Sequence, residues 1–123
     1  MIEISNLPQI SDAEWQVMKV LWYKSPLTAS QVISQLEEDT NWSPKTIHTL
    51  LNRLVNKEAL KVDKSTRPYK YYPLVSQEEC VREETKLFLE KVYDGSVGML
   101  LANFIKNEKL SQEEIEELRR LLE

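Results

Sequence analysis

The chain has 123 residues, about the size of one domain, with 41% hydrophobic and 29% charged side chains, as in an ordinary soluble globular protein. Two glycines exclude a glycine-rich phosphate cradle, a lone cysteine (Cys80) excludes a disulfide framework, a paired-cysteine metal motif and a redox pair, and a lone histidine (His48) excludes a two-histidine metal site. The net charge of −4 is uneven: Met1 to Val75 carries 9 basic against 8 acidic residues, Ser76 to Glu123 carries 7 against 12, and Ser43 to Tyr72 holds 7 against 2, so an acidic protein contains the concentrated basic patch that a polyanion partner requires.

Helix starts are written four times in the same chemistry, a hydroxyl at the N-cap answered three residues later by Glu or Gln: Ser11 with Glu14, Thr28 with Gln31, Ser76 with Glu79, and Ser111 with Glu114. Ser43 followed by Pro44 is a fifth start, since proline at the first helical position gives up no needed N–H. Apolar residues recur with helical period after the first three starts in the chain: Trp15, Met18 and Trp22; then Ala29, Val32, Ile33 and Leu36; then Ile47, Leu50, Leu51 and Leu54. From Leu60 to Leu74 the period changes to two, with Leu60 and Val62 on one run and Tyr69 and Tyr71 on the other across the polar turn Asp63 to Pro68, which predicts a β-hairpin.

Past Val75 the strand signals stop. Three further helices are predicted around Val81, Phe88 and Val92, then Val97, Leu100, Leu101, Phe104 and Ile105, then Ile115, Leu118 and Leu122, with Gly95 and Gly98 punctuating the first break. Glu113, Glu114, Glu116 and Glu117 early in the last helix and Arg119 and Arg120 near its end complement its dipole. So short a helical tail cannot cover all of its apolar stripes, and a neighbour from a second chain is expected there.

Three helices followed by a basic hairpin is the order of a winged helix-turn-helix. The predicted fold is therefore mainly α: a DNA-binding domain over 1–75, with three helices and a β-hairpin wing, then a three-helix dimerisation region over 76–123. The third helix leaves Lys45, Thr46, His48, Thr49, Asn52, Arg53 and Asn56 off its apolar stripe. A recognition helix reads bases mainly with its N-terminal turns, where Thr46, His48 and Thr49 stand, whereas Lys45 and Arg53 suit phosphates. The Ser43 end offers free N–H groups to a phosphate, and Lys61, Lys64, Arg67 and Lys70 surround the hairpin turn as a backbone-touching wing requires. Tyr69, Tyr71 and Tyr72 read as strand packing, and Cys80 as a small buried hydrophobe.

The stretches ISDAEWQVMKVLW from Ile10, NWSPKTIHTLLNRLVNK from Asn41, YKYYPLV from Tyr69 and LANFIKNEKLSQEEIEELRRLL from Leu101 resemble the penicillinase-repressor (BlaI/MecI) family over nearly the whole chain. The resemblance implies a homodimeric winged-helix repressor on a palindromic double-stranded DNA operator upstream of resistance genes, inactivated when the signalling protease of a membrane sensor system cuts it. It places the recognition helix at Ser43 to Lys57 and the cut bond at Asn103–Phe104. The dimer surface is expected on the apolar stripes of the three C-terminal helices, at Phe88, Val92, Leu100, Leu101, Phe104, Ile105, Ile115, Leu118 and Leu122. His48 stands where other members have Arg, which bears on base preference, and Glu58-Ala59 stands where others have Lys-Gly, at a helix end.

A copper-responsive sister branch ends in a cysteine-rich metal tail, but no cysteine follows Cys80, so thiolate metal sensing is not expected. A protein-interaction module is the rival reading of the basic patch; it would bind any DNA weakly and prefer no palindrome. A hydrolase is not expected, because Glu113 to Glu117 read as a solvated helical face. Neither a cofactor nor membrane insertion is expected, since no apolar run approaches the roughly 20 residues of a spanning helix. Cytoplasmic location is the expectation, from the single cysteine and the lack of a basic-then-apolar leader.

Overall fold

The computed structural model describes residues 7–107 and 110–122; the side chain of Leu122 lies outside that description. The element order is α1 (Asp12–Tyr23), β1 (Leu27–Thr28), α2 (Ala29–Asp39), α3 (Pro44–Asn56), β2 (Leu60–Asp63), β3 (Lys70–Pro73), α4 (Gln77–Tyr93), α5 (Val97–Asn107) and α6 (Gln112–Leu122). Cap chemistry sets these starts. Glu14 N donates to Ser11 Oγ at 3.2 Å while Ser11 N donates to the Glu14 carboxylate at 2.8 Å, and the same reciprocal pair opens α2 at Thr28 and Gln31 and α6 at Ser111 and Glu114. At α4 the pair closes differently, with Glu79 accepting from the Ser76 hydroxyl at 3.0 Å rather than from its N–H. Ser43 accepts from Thr46 N at 3.2 Å ahead of Pro44.

The break before α5 is made by Asp94 and Gly95, both left-handed with φ of 51° and 83°, and by Ser96, which accepts from Met99 N at 3.1 Å; Gly98 lies within α5 instead of marking the break. A positive φ suits glycine, and Asp tolerates it better than most residues.

The chain divides into two compact units, one ending at Cys80 and the other beginning at Val81. That division falls within α4, a little beyond the change in composition after Val75. In the first unit, Val17, Met18 and Leu21 of α1, Val32 and Leu36 of α2 and the whole predicted stripe of α3, Ile47, Leu50, Leu51 and Leu54, form one core closed by Leu60 and Tyr71. The stripe expected on α1 is rotated. Glu14, Val17, Met18 and Leu21 face inward, while Trp15 and Trp22 stand half-buried at the rim, packed edge-on at 5.3 Å, with Trp22 Nε1 donating to Val75 O at 2.9 Å. An indole carries an N–H that needs a partner, so the ring that finds one at the edge of the core stays there.

The hairpin gains a strand that the sequence period could not reveal. β3 is central, pairing antiparallel with β2 through Val62↔Tyr71 and Lys61↔Tyr72 and with β1 through Leu27↔Tyr71 and Thr28↔Lys70. Two residues are too few to display a period of two. Around the turn, Asp63 accepts from Ser65 N at 2.9 Å and from Ser65 Oγ at 2.6 Å, and these two bonds, with a smaller contribution from Lys70, hold its carboxyl below the usual range.

In the second unit, α5 buries none of its residues. Phe88, Val92, Val97, Met99, Phe104, Ile105, Ile115 and Leu121 are exposed, and a cleft of about 350 Å³ between α5 and α6 is lined by Leu100, Leu101, Phe104, Leu110, Leu118 and Leu121, with Glu114 and Glu117.

Candidate nucleic-acid interface

Burying Ile47, Leu50, Leu51 and Leu54 turns the remaining faces of α3 outward. Ser43, Lys45, Thr46, His48, Thr49, Asn52, Arg53 and Asn56 are all exposed. Lys45, Thr49, Asn52 and Asn56 follow one another at helical spacing, and Thr46 and Arg53 flank that row. Two of the hydroxyls are already partly engaged: Thr46 Oγ1 lies 3.1 Å from Ser43 Oγ at the cap, and Thr49 Oγ1 donates to Lys45 O at 3.0 Å. Thr49 therefore presents a methyl group and acceptor lone pairs outward, not a donor. Pro44 has no N–H, and Thr46 N and Ile47 N donate to Ser43 Oγ and Ser43 O, so the N–H left at the start of α3 is that of Lys45, beside its own charge, a setting that favours an anion.

β2 follows α3 and packs on it, so the hairpin belongs to the same unit. Lys64 and Arg67 are exposed in its loop, Lys61 is exposed on β2, and Lys70 is half-buried on β3. Arg67 is supported from within the loop by Tyr69: its guanidinium carbon lies 5.2 Å from the ring centroid, and Nη1 donates to the Tyr69 hydroxyl at 3.3 Å. Tyr69 thus lies just outside β3 and serves as a platform for Arg67, whereas Tyr71 is the buried strand tyrosine.

One member of the basic patch is already engaged within the fold. Lys57 caps the C-terminal end of α3, and its Nζ donates both to Glu14 Oε1 at 2.5 Å and to Gln9 O at 2.9 Å. Glu14 is buried, and burial pushes its pKa up, but hydrogen bonds from Lys57 and Ser11 outweigh that and hold the carboxyl below its ordinary value. No sequence signal distinguished Glu14, because its spacing to Ser11 already accounts for it as a cap residue. Immediately beyond, Glu58 is left-handed at φ 64° where the chain leaves α3 for β2.

The residues singled out in the C-terminal half sit on α4, α5 and α6. Phe88 packs edge-on against Tyr93 at 6.0 Å and, with Val92, Phe104, Ile105 and Ile115, is exposed; Leu100, Leu101 and Leu118 are half-buried. The Asn103–Phe104 bond lies inside α5, where Asn103 Nδ2 donates to the Tyr93 hydroxyl at 2.9 Å and Asn103 Oδ1 accepts from Asn107 at 2.7 Å. Cys80 is buried, and burial, with Glu79 beside it, pushes its thiol up. Among the described residues no group of His, Cys, Asp and Glu is placed to hold a metal, and no helix is long and apolar enough to cross a membrane.

Residues 10–123 match the penicillinase repressor family model. The chain belongs to the penicillinase repressor family. It is 41% identical over 120 residues to the penicillinase repressor of Bacillus licheniformis, covering 98% of this chain and 94% of the relative. It is 41% identical over 114 residues to the methicillin resistance regulatory protein MecI of Mammaliicoccus sciuri, covering 93% of each. Among solved structures it is similar to Bacillus licheniformis BlaI in its monomeric form in complex with the blaP half-operator, at 45% identity and a TM-score of 0.54 over 59% of this chain and 89% of that one. It is also similar to the DNA-binding domain of the repressor BlaI, at 43% identity and a TM-score of 0.55 over 62% of this chain and 93% of that one. These structural likenesses are to repressor family members with the same winged-helix architecture.

Proposed function

We propose that this chain is a transcriptional repressor of resistance genes that reads an operator in double-stranded DNA with α3 in the major groove and its hairpin on the backbone, working in the cytoplasm. The observation that carries this reading is the division of α3: four buried aliphatic residues on one side, and an exposed row of amide, hydroxyl, imidazole and cationic groups on the other. Side chains of that length and chemistry suit base edges in the major groove, and the flanking cations suit phosphates. The similarity to BlaI solved in complex with the blaP half-operator supports DNA as the partner.

The working unit in this reading is a homodimer on a two-fold symmetric site, with 1–75 as the DNA-binding domain and 76–123 as the dimerisation domain. Support comes from α5, in which no residue is fully buried and Leu100 and Leu101 are half-buried, and from the exposed Phe88, Val92, Phe104 and Ile105. Release in this reading is a cut at Asn103–Phe104 by the protease of a membrane sensor system, which would separate α6 and the end of α5 from the rest. The reading assigns this chain no catalytic residues of its own.

Selection from a randomised duplex pool, followed by titration of the selected and a scrambled duplex at rising salt, tests the reading. The expected result is enrichment of a two-fold symmetric sequence and an affinity that falls steeply with salt. Equal affinities for selected and scrambled DNA would mean a basic patch meant for some other acidic partner.

A further inference from the structure

A helix cap does not need a buried charge. Thr28 and Gln31 make the same reciprocal pair with a neutral amide, and Ser111 and Glu114 make it with an exposed carboxylate, yet Glu14 is 1% exposed and its Oε2 is buried without a hydrogen-bond partner among the described residues. Burying the Glu14 carboxylate costs stability, and Lys57, whose side chain is 38% exposed, reaches it from the surface. The pair joins residues 43 apart in sequence, the start of α1 and the C-cap of α3, and Lys57 is also held by Gln9 O.

The apolar contacts between α1 and α3 are non-directional; they hold the helices together but tolerate small rotations and slides. A charged hydrogen bond of fixed length at one end does not. At about 1.5 Å per residue Thr46 and His48 stand roughly 14–17 Å from the anchored end of α3, so a turn of about 5° about that end moves them by more than about 1 Å. A hydrogen bond to a base edge does not survive such a displacement.

We propose that Glu14 and Lys57 are positioning residues for sequence reading: the ion pair between buried Glu14 and the partly exposed Lys57 sets the register of α3 on α1, and so the selectivity for DNA sequence rather than the overall strength of DNA binding. The proposal rests on the assignment of α3 as the reading helix.

The test uses the intact chain, its Glu14→Gln and Glu14→Gln/Lys57→Met variants, the duplex selected by the wild type and a scrambled duplex. The double variant removes both charges together and leaves neither buried alone. Its melting temperature is expected within a few degrees of wild type, its affinity for scrambled DNA within about threefold, and its preference for the selected duplex reduced about tenfold or more. Glu14→Gln, which keeps the cap, is expected to lose about threefold or more of that preference, and it decides the matter if the double variant fails to fold. Preference retained within about twofold in the folded variants overturns the proposal. So does a uniform loss on both duplexes with a salt slope reduced by about one, which would make Lys57 a phosphate contact instead. A wild-type chain that enriches no sequence at all removes the reading of α3 itself, a different failure.

Discussion

The Arg67 guanidinium rests on the ring of Tyr69, 5.2 Å from its centroid, and donates to the same residue's hydroxyl at 3.3 Å. A long cation that would otherwise sample many rotamers is thereby given a preferred direction at the tip of the hairpin, at an exposed site where such a contact is worth about 0.5–1 kcal/mol. Arg67→Ala is expected to weaken binding to all duplexes alike and to reduce the salt slope by about one. Tyr69→Ala is expected to weaken binding less, through loss of that support, with the slope unchanged. Titrations on selected and scrambled DNA at several salt concentrations separate the two; an Arg67 variant that alters sequence preference would place base reading in the wing.

On α3 the opposite pattern is expected. Thr46→Ala and His48→Ala should change which sequence is preferred, each by about 1–3 kcal/mol at the positions they contact, while scrambled DNA binds as before. Repeating the pool selection with each variant measures the change, and an unaltered selected sequence in both would move the reading surface elsewhere on α3.

Glu58 holds a left-handed backbone at φ 64° as the chain turns from α3 into β2. A side chain there costs roughly 1 kcal/mol that glycine avoids, partly offset by the greater freedom glycine brings to the unfolded chain. Glu58→Gly is expected to raise the melting temperature by a few degrees without changing DNA preference. A fall in melting temperature would show that the freedom of the unfolded chain outweighs the relief.

Acid should dissolve the Glu14–Lys57 pair. Because the folded-state pKa of Glu14 lies below its ordinary value of 4.5, ionised Glu14 contributes stability that is fully present above that value and is lost as pH falls through the lower folded-state value. Urea unfolding of wild type and Glu14→Gln from pH 7 downwards is expected to show a stability difference that is constant at neutral pH and shifts against the wild type below about pH 4.5. A difference independent of pH would mean that Glu14 does not titrate between the two states.

A chain ending at Asn103 lacks Phe104, Ile105, Leu110, Ile115, Leu118 and Leu121, a large part of the apolar surface in the second unit, while Phe88, Val92, Val97 and Met99 remain. Each such side chain, once buried, is worth about 1.5–3 kcal/mol, so the loss of several should exceed the margin of a dimer. Sedimentation is expected to find a monomer whose first unit remains folded, and operator titration a much weaker complex, since each copy then binds one half-site without the gain from linkage. A truncated chain that stays dimeric at micromolar concentration and binds as tightly as the whole would refute both the dimer surface and the mode of release.

What could be read along the chain was local. A hydroxyl three residues before Glu or Gln contains its own partners, so the starts of α1, α2, α4 and α6 were legible, as was the start of α3 at Ser43-Pro44. The stripe of Ile47, Leu50, Leu51 and Leu54 was equally clear, because period and burial coincide when a helix packs one face against a single core. The exposed row on α3 followed from it; the family resemblance rests separately on the stretches from Ile10, Asn41, Tyr69 and Leu101.

Tertiary structure decided what depends on residues distant in sequence. β1 is a strand only because Leu27 and Thr28 lie against Tyr71 and Lys70, and Trp22 stays at the rim because Val75, 53 residues away, offers its carbonyl there. Lys57 counted towards the basic patch until folding set it against Glu14, and Glu14 looked like a surface cap residue until α3 covered it. Periodicity and capping act over three or four residues, so a sequence expresses them directly. Which side of a helix finds a partner for a charge or an indole depends on elements that meet only when the chain closes, and no spacing along the sequence encodes that meeting.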